Sequence, residues 1–189
     1  MTITVRSPTD AEIRALAARI DRPVVLVGMM GVGKSTVGRK LAHRLGLPFA
    51  DADEAIEAAA QLKVAEIFER FGEAYFRDGE RRVIARLLDA GPGVLATGGG
   101  AFVQPETRAL IIEHGIAVWL DSDLDTLVAR VSRKDTRPLL RHGDPREILG
   151  QLKAEREAAY AQAPIHVTSD VGPQSDAVDS ILEALQQWP

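Results

Sequence analysis

Pro23-Val24-Val25-Leu26-Val27-Gly28-Met29-Met30-Gly31-Val32-Gly33-Lys34-Ser35-Thr36 holds two patterns back to back. The first half is a continuous apolar run, the pattern of a strand buried on both faces. The second half, Gly28 to Ser35, fits G-x-x-x-x-G-K-[ST], and Lys34 to Leu45 reads as a helix. A strand before and a helix after are the context this phosphate-loop motif requires. Glycines let the backbone wrap an anion, successive N–H groups point inward, and the helix start adds a partial positive charge. Gly31, Val32, Gly33, Lys34, Ser35 and Thr36 are therefore the expected nucleotide contacts. Lys34 would reach the β- and γ-phosphates, and the Ser35 hydroxyl would ligate Mg2+. The loop indicates a bound nucleoside triphosphate and leaves the phosphoryl acceptor open.

Outward from this stretch, short apolar segments alternate with longer helical ones. Strands are predicted at Pro48–Asp51, Val94–Thr97, Ile116–Leu120 and Ile165–Thr168. Helices are predicted at Asp53–Ala60, Val64–Leu88, Pro105–Glu113, Leu124–Val131, Arg146–Ala161 and Asp176–Gln187. Ser132 to Pro145 is polar, basic and irregular. Such alternation implies parallel crossovers and a three-layer α/β/α sandwich. Ahead of the first strand, Thr9 and Glu12 form a capping-box pattern, with Ile13, Leu16 and Ile20 at helical spacing. We expect a short amphipathic helix there, carried as an exposed appendage.

Composition narrows the class. The 189 residues suit one domain, and 46% apolar with 26% charged residues is an ordinary globular balance. No cysteine is present, which excludes disulfides and thiolate metal sites. The first 22 residues lack a signal-peptide pattern, and no run of about 18 apolar residues exists to span a membrane. A net charge of -4 gives little electrostatic reason to bind nucleic acid. The basic cluster between Arg130 and Arg141 then calls for a local anion. We expect a cytoplasmic monomer with no membrane or nucleic-acid partner.

In open parallel sheets ligands sit beyond the carboxyl ends of the strands. That rule collects Gly28–Thr36, Asp51 with Asp53, and Gly98-Gly99-Gly100 on one edge. Asp51 and Asp53 are two residues apart and share a face of an extended strand end. One suits a Mg2+ water shell and the other an acceptor hydroxyl, although acids are also favoured at a helix start. Arg77, beside Tyr75 and Phe76, has the fork that clamps a carboxylate by two parallel hydrogen bonds. On local sequence alone it reads more readily as a surface arginine of a charged helix. Three consecutive glycines at a strand end let backbone approach a ligand closely. The acids of the 64–89 helix, including Glu69 and Glu80, read mostly as a solvated face, with Glu80 one turn after Arg77 and placed to orient it. The four histidines lack metal-ligand spacing, and Trp119 reads as core.

Taken together these residues resemble a shikimate kinase. The matching positions are Gly28 to Thr36, Phe49-x-Asp51-x-Asp53-x-x-Ile56-Glu57, Gly72-Glu73-x-x-Phe76-Arg77, Gly98-Gly99-Gly100, Thr136-Arg137-Pro138-Leu139-Leu140, and Arg156 followed by Tyr160. They run from residue 24 to about 168, and the set is far more specific than the phosphate loop. Ala158-Ala159 stand where the family usually has Pro-Leu.

The resemblance implies the nucleoside monophosphate kinase fold, with a five-stranded parallel sheet, an acceptor-binding region at about 51–82 and a lid at about 132–147. Residues 1–22 would be an N-terminal extension to a single kinase domain at 23–189. ATP would phosphorylate shikimate to shikimate 3-phosphate, a step of aromatic amino acid synthesis, with Mg2+ as cofactor. Asp53 would orient or deprotonate the attacking hydroxyl, with Lys34 and Arg137 as the other catalytic groups. Arg77, Arg156 and the backbone of Gly98, Gly99 and Gly100 would hold shikimate. Asp51 and Ser35 would support the metal, Arg130 would lie against adenine, and Arg137 would reach ATP phosphates from the lid.

Two other readings compete. A gluconate or nucleotide kinase would share the fold, but paired arginines suit a carboxylate and Asp53 suits a diol. A noncatalytic nucleotide-binding regulator would have no need to keep Lys34, Ser35, Asp53 and Arg137 together.

Overall fold

β1 (Val24–Val27) is buried along its whole length, which places it at the centre of the sheet. It pairs in parallel with β3 (Val94–Ala96) on one side and β4 (Ile116–Asp121) on the other, with Val25 opposite both Leu95 and Ala117. β2 (Phe49–Asp51) lies beyond β3, and β5 (Ile165–Thr168) beyond β4. The sheet is parallel throughout, as the alternation predicts, and its five strands run in the order β2-β3-β1-β4-β5. It is seen in a computed structural model that describes residues 7–133, 143–169 and 174–189.

Successive strand residues point to opposite faces. Leu26 abuts Gly38 of α2 (Lys34–Leu45), whereas Val25 abuts Gly115 at the end of α5 (Pro105–His114), so these helices cover opposite faces. α8 (Gln174–Gln187) and α1 (Asp10–Arg19) pack with α2. The other layer holds α4 (Val64–Leu88), α6 (Leu124–Ser132) and α7 (Pro145–Tyr160). α3 (Ala52–Ala60) packs on α4 around a small separate core of Ile56, Ile67 and Phe76. Among the described residues, no helix is long and apolar enough to cross a membrane.

Two expectations are corrected. The leader helix is no exposed appendage: Ile13, Leu16 and Ile20 belong to the main core. Burying each such side chain contributes about 1.5–3 kcal/mol. Thr9 caps the helix in a complete capping box with Glu12, as predicted. Ser7 donates to Asp179 of α8 at 2.6 Å, and Arg19 donates to the Trp188 carbonyl at 2.7 Å. These contacts bind the leader to the C-terminal helix. The second correction concerns α4, predicted as one continuous helix. It breaks at Gly72, where φ is 81° and ψ is 173°. Ile67 before the break and Phe76 after it both meet Ile56 of α3, and the second part carries Ile84 and Leu88 into the main core.

Candidate active site

The phosphate loop leaves β1 at Gly28, where φ is 138° and an added Cβ would lie 2.2 Å from the Leu120 carbonyl oxygen. Only glycine fits between two adjacent strands there. Gly33, left-handed at φ 97°, then opens α2. Lys34 is buried, and its ammonium donates to the carbonyls of Gly28 and Met29, both at 2.8 Å. Arg130 of α6 donates to the Val32 carbonyl at 3.0 Å. The Val32 side chain itself is core, and Thr36 is exposed on the first turn of α2.

Ser35 and Asp51 meet across the sheet edge: the serine hydroxyl donates to Asp51 Oδ2 at 2.6 Å. The other oxygen of Asp51 accepts from the backbone N–H groups of Asp53 and Glu54, so this carboxylate also caps α3. That cap aims Asp53 at the end of β3. A Cβ on Gly98 would lie 3.0 Å from Asp53 Oδ1 and 3.2 Å from Glu80 Oε1. Burial, chiefly, and the neighbouring Asp51 charge push the Asp53 carboxyl above the usual carboxylate range, against the pull of Lys34.

Arg77 and Glu80 lie one turn apart on α4 and pair at 2.6 Å. Glu80 is fully buried, and burial raises its pKa against the opposing charge of Arg77. The Arg77 guanidinium lies over the Phe76 ring, 5.1 Å from its centre. Phe76 meets the tilted ring of Phe68, with ring centres 4.4 Å apart. Tyr75, two residues before Arg77 in the sequence, points outward and pairs with Phe71. The guanidinium reaches the turn after β3, where a Cβ on Gly100 would lie 2.3 Å from Arg77 Nη2. A Cβ on Gly99 would lie 3.5 Å from Arg156 Nη1 of α7 and 3.2 Å from the Met30 N of the phosphate loop. The Tyr160 hydroxyl donates to the Gly99 carbonyl.

One sheet edge thus gathers Lys34, Ser35, Asp51, Asp53, Arg77, Arg156 and the three glycines, with Arg130 beside the phosphate loop. Arg137 and most of the expected lid lie outside the described residues. Sequence reasoning underrated Glu80, placing it among acids of a mostly solvated face. The signal was available: Phe76, Glu80, Ile84 and Leu88 recur every fourth residue and are all buried, so Glu80 interrupts an apolar stripe. Trp119, read as core, is buried and stacks on His166 at 4.0 Å.

Chemically, the edge offers an anion-binding loop, two carboxylates at one end of a glycine turn and two guanidinium groups at the other. Residues 30–186 match the family model for shikimate kinase. A shikimate kinase of Novosphingobium aromaticivorans is 63% identical over 184 residues, covering 95% of each chain. The structure of a shikimate kinase from Acinetobacter baumannii in complex with shikimate superposes with a TM-score of 0.86 at 33% identity, covering 95% of this chain and 98% of that one. A shikimate kinase from Aquifex aeolicus gives 0.76 at 34% identity, covering 87% and 96%. Sequence, fold and the arrangement of acids and arginines agree, and the chain belongs to the shikimate kinase family.

Proposed function

We propose that the chain transfers the γ-phosphoryl group of ATP to the 3-hydroxyl of shikimate, with Asp53 on that hydroxyl and Arg77 and Arg156 on the shikimate carboxylate. The observation that carries this reading is the polarity of the glycine turn. Asp53 and Glu80 face Gly98, whereas Arg156 and Arg77 face Gly99 and Gly100. A hydroxylated ring with a carboxylate at one end matches both ends at once. Gluconate and nucleotide acceptors give way with the family assignment.

The attacking oxygen forms its bond to phosphorus as the bond to the ADP oxygen breaks, and the hydroxyl proton passes to Asp53. A carboxylate whose pKa lies above its usual range is a better proton acceptor near neutral pH. Lys34 exchanges the loop carbonyls for phosphate oxygens and neutralises charge on the moving group. Arg137 would add to this from the lid. Because phosphoryl transfer needs little covalent help, holding the acceptor in line accounts for much of the rate.

Ser35 and Asp51 suit Mg2+: a hydroxyl and a carboxylate oxygen in contact are hard donors, and such sites are completed by water and substrate phosphates. When bound, the ion would supply neutralisation of the triphosphate's charge. We take the chain to act as a monomer. The net charge of -4 speaks against a nucleic-acid partner, and the metabolite substrates go with the cytoplasm. We take about 51–82 as the acceptor-binding region and 132–147 as the lid of a kinase unit at 23–189.

The test is an ADP-release assay with ATP, Mg2+ and shikimate, run beside gluconate and a nucleoside monophosphate. Turnover requiring shikimate, weakened in Arg77→Ala and Arg156→Ala, is the expected result. ATP binding without shikimate turnover would remove the assignment.

A further inference from the structure

We propose that Tyr160 is a positioning residue for shikimate: its hydroxyl, anchored on the Gly99 carbonyl, sets both the direction of the Gly100 N–H and the reach of Arg156. The inference rests on the site reading above and adds a residue to which that reading gives no role.

Tyr160 ends α7 and is 1% exposed. Its ring lies 6.0 Å from that of Trp119, and its oxygen lies 4.0 Å from Met29 Sδ of the phosphate loop. A thioether is a weak acceptor, so the Gly99 carbonyl is the acceptor for this buried hydroxyl, whose oxygen also takes a hydrogen bond from Arg156. Three glycines in a row have more backbone freedom than any other tripeptide, and a site made of their N–H groups needs an outside anchor. Tyr160 provides it. In a planar trans peptide the Gly99 C=O and the Gly100 N–H point in opposite directions. Holding the carbonyl on α7 therefore turns the Gly100 N–H away from α7.

Arg156 stands four residues before Tyr160, on the same helix face. Its charge acts on the phenol, whose pKa burial nevertheless raises, so the hydroxyl stays a donor at working pH. Arg156 Nη1 reaches the same Gly99. One hydroxyl thus locks the helix carrying a carboxylate-binding arginine to the turn carrying a backbone donor. Tyr160 itself touches no reacting atom.

The test compares Tyr160→Phe, which keeps the ring, with Arg156→Ala. For Tyr160→Phe the KM for shikimate should rise about tenfold, the scale of one lost buried hydrogen bond, while the KM for ATP stays within about twofold. An unchanged shikimate KM in Tyr160→Phe, with a raised one in Arg156→Ala, overturns the proposal and leaves the site reading intact. If neither variant moves it, the site reading itself fails. Equal rises in both KM values mean general loosening and also overturn the proposal.

A second measurement leaves the fold untouched. The chain has two tyrosines, so 3-fluorotyrosine labelling gives two fluorine signals, assigned with Tyr75→Phe. The Tyr160 signal should shift when shikimate is added; a signal that ignores shikimate overturns the proposal.

Discussion

Gly100→Ala isolates the proposed carboxylate clamp with a single methyl group. The backbone at Gly100 has φ -95° and ψ -9°, which alanine adopts without strain. The added Cβ, however, would lie 2.3 Å from Arg77 Nη2 and 2.9 Å from Cζ. Ordinary contact begins near 3.4 Å, so the guanidinium must retreat by about 1 Å, the difference between 3.4 and 2.3. It has little slack, being pinned by Glu80 at 2.6 Å and by the Phe76 ring face. A displacement of that size forfeits much of a charged hydrogen bond, worth about 1.5–3 kcal/mol. At about 2 kcal/mol, kcat/KM for shikimate falls roughly 30-fold. The assay is steady-state ADP release with shikimate varied at saturating ATP, then with ATP varied at saturating shikimate. Only the first series should respond. In an Arg77→Ala background the same alanine should cost less than about twofold, because the group it displaces is gone. Wild-type kcat/KM in Gly100→Ala would refute the reasoning, as would a full effect surviving in the Arg77→Ala background.

Burial and Asp51 hold the Asp53 pKa above its unfolded value. Its share of stability is therefore full below the unfolded pKa and is lost as pH rises through the native one. Asp53→Asn should lose most turnover yet melt above the wild type at pH 8, with the gap closing below about pH 4; thermal melts across pH check this, and a constant gap would sink it. Leu16→Ala, on the leader, should cost about 3 kcal/mol and lower Tm by about 6–12 °C with shikimate KM unchanged; a Tm within error of wild type would return the leader to an appendage. Lys34→Met should cut kcat at least about 100-fold while shikimate still binds, measured by calorimetry; loss of both together would point to a collapsed loop instead.

The fold was legible because each strand lay in one short apolar segment. β1 reads as buried on both faces since it is, and the glycines after it can follow only a strand end that turns sharply into a helix. The leader was misjudged for a reason of degree. Ile13, Leu16 and Ile20 gave the helical period, but the rest of the helix is alanine and charged residues, with no other large apolar side chain. What decides burial is a partner face on α2 and α8, and α8 lies at the far end of the chain. Within α4 the period runs on through Gly72, so pattern alone saw no break; one glycine with positive φ redirects the helix.

The site was legible where it is local or where parallel topology adds it up. Asp51, Asp53 and the three glycines lie at strand ends, and β2, β3 and β1 are neighbours in the sheet, so their carboxyl ends fall side by side. Glu80 and Tyr160 are of another kind. Each follows a visible partner by one helical turn, Arg77 and Arg156 respectively, yet each acquires its role only when a distant glycine turn packs over it. Glu80 stands amid Asp78, Arg81 and Arg82, which are partly or fully exposed, and shares their charge pattern while facing the other way. Stability does not explain a buried Arg77–Glu80 pair, since a well-packed apolar pair of similar volume often does as well or better. The pair makes sense as the fixed wall of the proposed carboxylate site. A guanidinium that must await its ligand in one orientation needs a carboxylate that holds it from behind, and at Gly98 that same carboxylate stands next to Asp53.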